Sequence, residues 1–147
     1  MHISTKFHGE IEINEADIFT FQGGIPGFEA EKRFTLLPLN ETPFCILQSI
    51  STPEVAFITT NPFDVFPTYE VNLSNDVLTD LQIQSEQDVT VFTILSVRDP
   101  FEQTTANLQA PIILNDKKKL GKQYIMKTDK YTPRHELFPS PVKQEVK

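Results

Sequence analysis

The chain has no tryptophan, a single cysteine, two methionines and only five glycines in 147 residues. One cysteine excludes an internal disulfide framework, and Cys45 sits in the apolar run PFCILQSI, where it suits a small buried hydrophobe. No apolar run approaches the ~20 residues that span a bilayer. The first ten residues, MHISTKFHGE, lack the basic flank and apolar block of a secretory signal. These absences lead to the expectation of a cytoplasmic protein. Basic side chains are also scarce over most of the length. Residues 1–115 hold only Lys6, Lys32, Arg33 and Arg98 against sixteen acidic residues, whereas residues 116–147 hold nine basic and four acidic ones, for a net charge of −7. An acidic body of this kind repels phosphate backbones and attracts basic protein surfaces. Direct binding of nucleic acid is therefore not expected.

Proline and phenylalanine are plentiful instead, with eleven and twelve copies. Many prolines against few glycines favour short elements with fixed corners over long helices, and the rings and β-branched residues supply a core. Ile3, Thr5, Phe7, Ile11 and Ile13 alternate with polar residues, which predicts one half-buried N-terminal strand with a kink at Gly9. Further strands are expected at 34–39, 44–50, 55–60, 69–73, 89–97, 108–114 and 123–126. The run 89–97 is apolar on both faces and should be central. Pro26-Gly27 suits a type II turn. One brief helix is expected after Ser74 or Asn75, with Val77, Leu78 and Leu81 on one face. The fold class is all-β: a small closed or partly open antiparallel barrel or sandwich, with one short helix and an extended C-terminal tail. Residues 1–126 should form a single β-barrel-like binding domain, and 127–147 a crossing segment followed by a loose tail.

Chemistry-bearing patterns are missing. Gly23-Gly24-Ile25-Pro26-Gly27 has no Lys-Ser/Thr after it and is a turn, not a phosphate loop. The three histidines are scattered, and His135-Glu136 lacks the second histidine of a zinc helix. No enzyme activity, metal or cofactor is expected. Two loops pairing aromatic with acidic residues stand out instead. Asn61-Pro62-Phe63-Asp64-Val65-Phe66-Pro67 sets two rings between prolines, and Arg98-Asp99-Pro100-Phe101-Glu102 follows the central strand. Such rings serve either as plugs of a barrel mouth or as interface anchors.

The segment Phe21-Gln22-Gly23-Gly24-Ile25-Pro26-Gly27-Phe28-Glu29 resembles the signature near the start of FliW proteins. Asn61-Pro62-Phe63 with Tyr69, and Thr93–Val97 running into Ala106–Ile112, are similar to two further stretches of that family. Together they span about residues 5–122. The resemblance implies a β-barrel-like protein that binds flagellin and, alternatively, the RNA-binding translational repressor CsrA. Holding CsrA would relieve repression of flagellin synthesis. The residues expected to meet a partner are Asn61, Pro62, Phe63, Asp64, Tyr69, Glu70, Arg98, Asp99 and Asn107, on a chain that is a monomer when free. An OB-like nucleic-acid-binding barrel and a small-molecule-binding or enzymatic barrel are the alternatives. The first should interleave basic with aromatic residues on one sheet, yet here the aromatics sit beside acids.

Overall fold

The structure is a computed structural model that describes residues 1–138. It begins with two short strands, β1 (His2–Ser4) and β2 (Glu10–Glu12), paired antiparallel with Ile3 opposite Ile11. After β3 (Ile18–Thr20), β4 (Arg33–Pro38), β5 (Cys45–Ser49) and β6 (Ala56–Thr60) come the single-turn helix α1 (Pro62–Val65) and the helix α2 (Asn75–Asp80). Strands β7 (Val89–Ser96), β8 (Thr105–Ala106), β9 (Ile112–Asn115), β10 (Leu120–Gln123) and β11 (His135–Glu136) complete the order.

Seven of these strands close into a barrel. The path runs β7-β6-β5-β4-β3-β10-β9, and β9 returns to β7 through four antiparallel pairs, Val89 opposite Asn115 to Phe92 opposite Ile112. The barrel expectation holds, with one departure from an antiparallel design: β10 meets β3 in parallel, through Leu120 and Thr20 alone. Strand β7 is central as its apolar run predicts, because it pairs with β6, β8 and β9. Strands β8 and β11 leave the barrel as a small arm on β7.

The barrel interior is built on Phe19, Phe21, Ile25, Phe34, Leu47, Ile112 and Leu114, all buried. Phe21 and Phe34 meet edge-to-face at 5.1 Å, a geometry aromatic quadrupoles favour. Gly121 is required here, since a Cβ on it would lie 2.4 Å from the Phe21 ring. Gly27, at φ +87°, sits in the turn closed by Phe28 N–H donating to Ile25 O at 2.6 Å, the arrangement expected of Pro26-Gly27. Helix α2 matches its expectation: Ser74 Oγ caps it by accepting from Val77 N–H at 3.4 Å, and Val77 and Leu81 are buried against Ile113.

Five expectations need correction. The N-terminal alternation belongs to a hairpin, not one strand: Gly9 adopts φ +65° and the chain reverses between β1 and β2. The strand expected over 108–114 is confined to Ile112–Asn115, and that over 123–126 lies earlier, at Leu120–Gln123. The segment 69–73 forms no strand. Its alternation survives, with Tyr69 buried and Val71 and Leu73 packed on the core, but its main chain bonds to loops: Tyr69 N–H to Phe66 O, Glu70 N–H to the Tyr131 hydroxyl. Period two fixes which side chains face inward; it does not supply a neighbouring strand. Cys45 is half-buried at the start of β5, and burial pushes its thiol pKa up.

Candidate protein-docking surface

The loop 61–70 is shaped by its own residues. Asn61 Oδ1 accepts from Phe63 N–H at 2.9 Å, and Pro62, buried, occupies the first turn of α1, where its missing N–H costs nothing. Phe66 N–H returns to Pro62 O at 2.8 Å. That single turn points Phe63 and Val65 outward, at 40% and 37% exposure. Asp64 is exposed between them. Phe63 therefore does not plug the barrel. Its ring lies 5.6 Å from that of Tyr69 at the outer side.

Tyr69 has a different role from its neighbours. It is 4% exposed, and its hydroxyl donates to Leu108 O at 2.6 Å. Burial first, and Tyr131 second, push its pKa well above the ordinary phenol value, so it stays a neutral donor. Tyr69 anchors the loop from beneath and offers no contact surface. Glu70 is exposed, with its carboxylate 3.5 Å from Lys130 Nζ.

The second loop closes on itself through Arg98 N–H donating to Thr104 Oγ1 at 3.1 Å. The Asp99–Pro100 peptide is cis, and Arg98 and Asp99 are exposed. Phe101, 38% exposed, continues a row of rings, 6.1 Å from Phe44 and 5.5 Å from Phe138. Asn107 is a turn residue: its Oδ1 accepts from Ala110 N–H at 3.0 Å and its carbonyl accepts from Thr93 Oγ1 at 2.8 Å. Its side chain holds a bend together and is half-buried.

Both loops stand on one layer of buried residues, Tyr69, Leu95, Ala106, Leu108, Met126 and Leu137, with Phe44, Phe66 and Tyr131 packed on it. Sequence reasoning gave no site role to the segment that completes this layer. Residues 124–138 cross over it: Tyr131 lies 4.7 Å from Tyr69, accepts from Glu70 N–H, and lies 6.4 Å from His135, which meets Phe66 edge-to-face at 5.1 Å. The aromatic spacing Tyr124, Tyr131, Phe138 is the signal that could have marked it. The crossing also brings Lys130 to the acidic body, beside Glu70. Beside it runs a cleft of about 670 Å³ lined by Asn72, Tyr124 and Ile125, where Tyr124 Oη donates to Asn72 O at 3.2 Å. Residues 139–147, the latter part of the expected tail, lie outside the described residues.

The arrangement is an aromatic platform with charged edges. Among the described residues no group of three His, Cys, Asp or Glu side chains is placed to hold a metal ion. No helix among them is long and apolar enough to cross a membrane. The family model described as FliW protein matches residues 2–137. The chain belongs to the FliW family. A flagellar assembly factor FliW from Geobacillus kaustophilus is 56% identical over 142 residues, covering 97% of this chain and 99% of that one. One from Bacillus subtilis strain 168 is 46% identical over 138 residues, covering 93% and 96%. A crystal structure of the flagellar assembly factor FliW superposes with a TM-score of 0.92 at 55% identity, covering 96% of this chain and 99% of that chain. FliW proteins are non-enzymatic regulators, and this member is not an enzyme. Membership supports a role in regulating flagellar assembly.

Proposed function

We propose that this FliW-family chain acts by docking on flagellin and, alternatively, on the repressor CsrA, whose capture relieves repression of flagellin synthesis. The observation that carries the reading is the convergence of two separate aromatic loops, around Phe63 and around Phe101, on one buried layer. Exposed rings on a rigid base are what interface anchors require, since little entropy is left to lose on docking. Asp64, Asp99 and Glu102 lie on the exposed parts of these loops and favour a basic partner; Glu70 favours it less, because Lys130 is already beside it. Flagellin would use the apolar part of the same surface, so the two partners would exclude each other. The protein acts in the cytoplasm and does not itself bind RNA.

The test is titration calorimetry of the purified chain with each partner, followed by competition between them. Binding of both, with flagellin displacing CsrA, is the expected result. Simultaneous binding of both partners at full affinity would remove the shared-surface reading, and no binding of either would remove the function. A gel shift with RNA at low salt should be blank, because a body this acidic lacks the phosphate contacts that dominate such affinity.

A further inference from the structure

Strand β10 is fully paired on one side only. It pairs with β9 over its whole length, and the pairing runs on past its end: Tyr124 N–H donates to Pro111 O at 2.9 Å and Met126 N–H to Gln109 O at 2.8 Å. On the other side β3 meets it through Leu120 and Thr20 alone, then turns away, with Phe21 N–H bonded to Lys32 O. By strand alternation the main-chain groups of Gln123, Ile125 and Lys127 face that open side. No strand pairs with them there among the described residues. Two cavities, of about 340 and 330 Å³, adjoin this side, and Pro26 and Gln123 line both.

Gly23 lines the first of these cavities together with Gln123. Of the five glycines, Gly9, Gly24 and Gly27 hold positive φ and Gly121 abuts the Phe21 ring. Gly23 has neither reason: its φ lies outside the left-handed region, and a Cβ on it would meet nothing within 4 Å. The fold does not require a glycine there, whereas the close approach of another backbone does. Ile125, 58% exposed, lines the second cavity with Pro26, Ala110 and Pro133, an apolar seat. Lys127 is exposed and has no carboxylate partner among the described residues. The edge also belongs to the basic part of the chain, residues 116–147, with nine basic side chains against four acidic. We propose that this edge takes an extended acidic segment of a partner protein as an added strand, running between β10 and the loop of Gly23 and Pro26. Its main chain bonds to Gln123, Ile125 and Lys127, with an apolar side chain opposite Ile125 and an acidic one, two positions away, opposite Lys127. None of the residues lining these two cavities belongs to the loops of Phe63 and Phe101, and the inference does not depend on what docks there.

The probe is the blocked peptide Ac-TETVTET-NH2, whose side chains read alike in both directions and so suit either strand polarity. Titrated to about 5 mM into the isotope-labelled full chain, it should give saturable NMR shifts centred on the amides of Gly23, Gln123, Ile125 and Lys127, with a Kd of about 1 mM or below. Gly23→Val should keep the thermal midpoint, because the space around that position is open, and weaken the peptide by about tenfold or more. Lys127→Glu should shift the preference toward the lysine analogue Ac-TKTVTKT-NH2. The absence of saturable shifts, shifts centred instead on the loops of Phe63 and Phe101, or undiminished binding by Gly23→Val overturns the proposal. So does a fall in the midpoint of that variant, since the fold would then need the glycine, or a Lys127→Glu chain with unchanged preference. Shifts of the same amides when the chain is concentrated without peptide would assign the edge to a second copy, and overturn it as well.

Discussion

The barrel half and the loop half of this molecule are both built from phenylalanine and aliphatic residues, yet they hold those residues differently. In the barrel, rings such as Phe21 and Phe34 are fully buried between strands whose ladders satisfy the main chain. In the loop half the main chain is held piecemeal, by the Tyr69 hydroxyl on Leu108, the Tyr131 hydroxyl on Glu70 and the Asn107 amide on Ala110. Six of the nine exposed large hydrophobics among the described residues lie in this half: Phe63, Val65, Val97, Phe101, Ile125 and Phe138. A strand presents side chains outward only at every second residue and at fixed spacing, and cannot gather rings freely into one patch. Loops braced by side chains can do so, and that is where a docking surface can be made.

Mutations can break this contrast, and the largest effect is expected in the barrel. Phe34→Ala removes a fully buried ring and should cost about 3–5 kcal/mol of stability. Chemical denaturation with a loss near 1 kcal/mol would mean the interior relaxes far more than its packing implies. Phe63→Ala in the loop half should behave in the opposite sense. It should lose about 2 kcal/mol of partner binding and less than about 1 kcal/mol of stability, because so much of the ring is already in water. A mutant that unfolds easily but binds normally would return Phe63 to the role of a plug.

Tyr69→Phe tests the bracing of the loop half. Losing the hydroxyl leaves the buried Leu108 carbonyl without its donor and should cost about 1–2 kcal/mol. An unchanged thermal midpoint would show that the loop does not hang on that bond. The rim charges come next. Asp64→Lys with Glu70→Lys should slow association with a basic partner and flatten its salt dependence, as stopped-flow mixing across a salt series would show. At physiological ionic strength the Debye length is about 8 Å, so the difference is largest at low salt.

The smallest effect belongs to the N-terminal hairpin. Each ring nitrogen of His2 lies 2.9 Å from a different carboxylate, Glu12 and Glu10, which raise its pKa above the ordinary 6.5. His2, and then the amino terminus, hold Glu12 below its ordinary 4.5. The stabilisation from His2 is full below pH 6.5 and is lost as pH rises through its raised pKa. That from Glu12 is full above pH 4.5 and is lost as pH falls through its lowered pKa. The hairpin is firmest between those two values. An NMR titration should show the His2 midpoint fall in Glu12→Gln, and a midpoint indifferent to that change would discard the clamp.

The sequence by itself determined the all-β class, the central position of β7, the capped helix after Ser74 and the turn at Pro26-Gly27. Each rests on local periodicity or on one residue's conformational preference, which act over a few positions. It also singled out the loops at 61–67 and 98–102, because proline and exposed-looking rings are visible in order. Only the tertiary structure decided that Tyr69 is a buried anchor while Phe63 is exposed, that Asn107 braces a bend, and that 69–73 finds no strand to pair with. It also brought residues 124–138 across both loops, with Lys130 against Glu70. The reason is that pairing and burial depend on partners distant in the chain: Tyr69 is fixed by Leu108 and Tyr131, and nothing in its own neighbourhood records where they will lie.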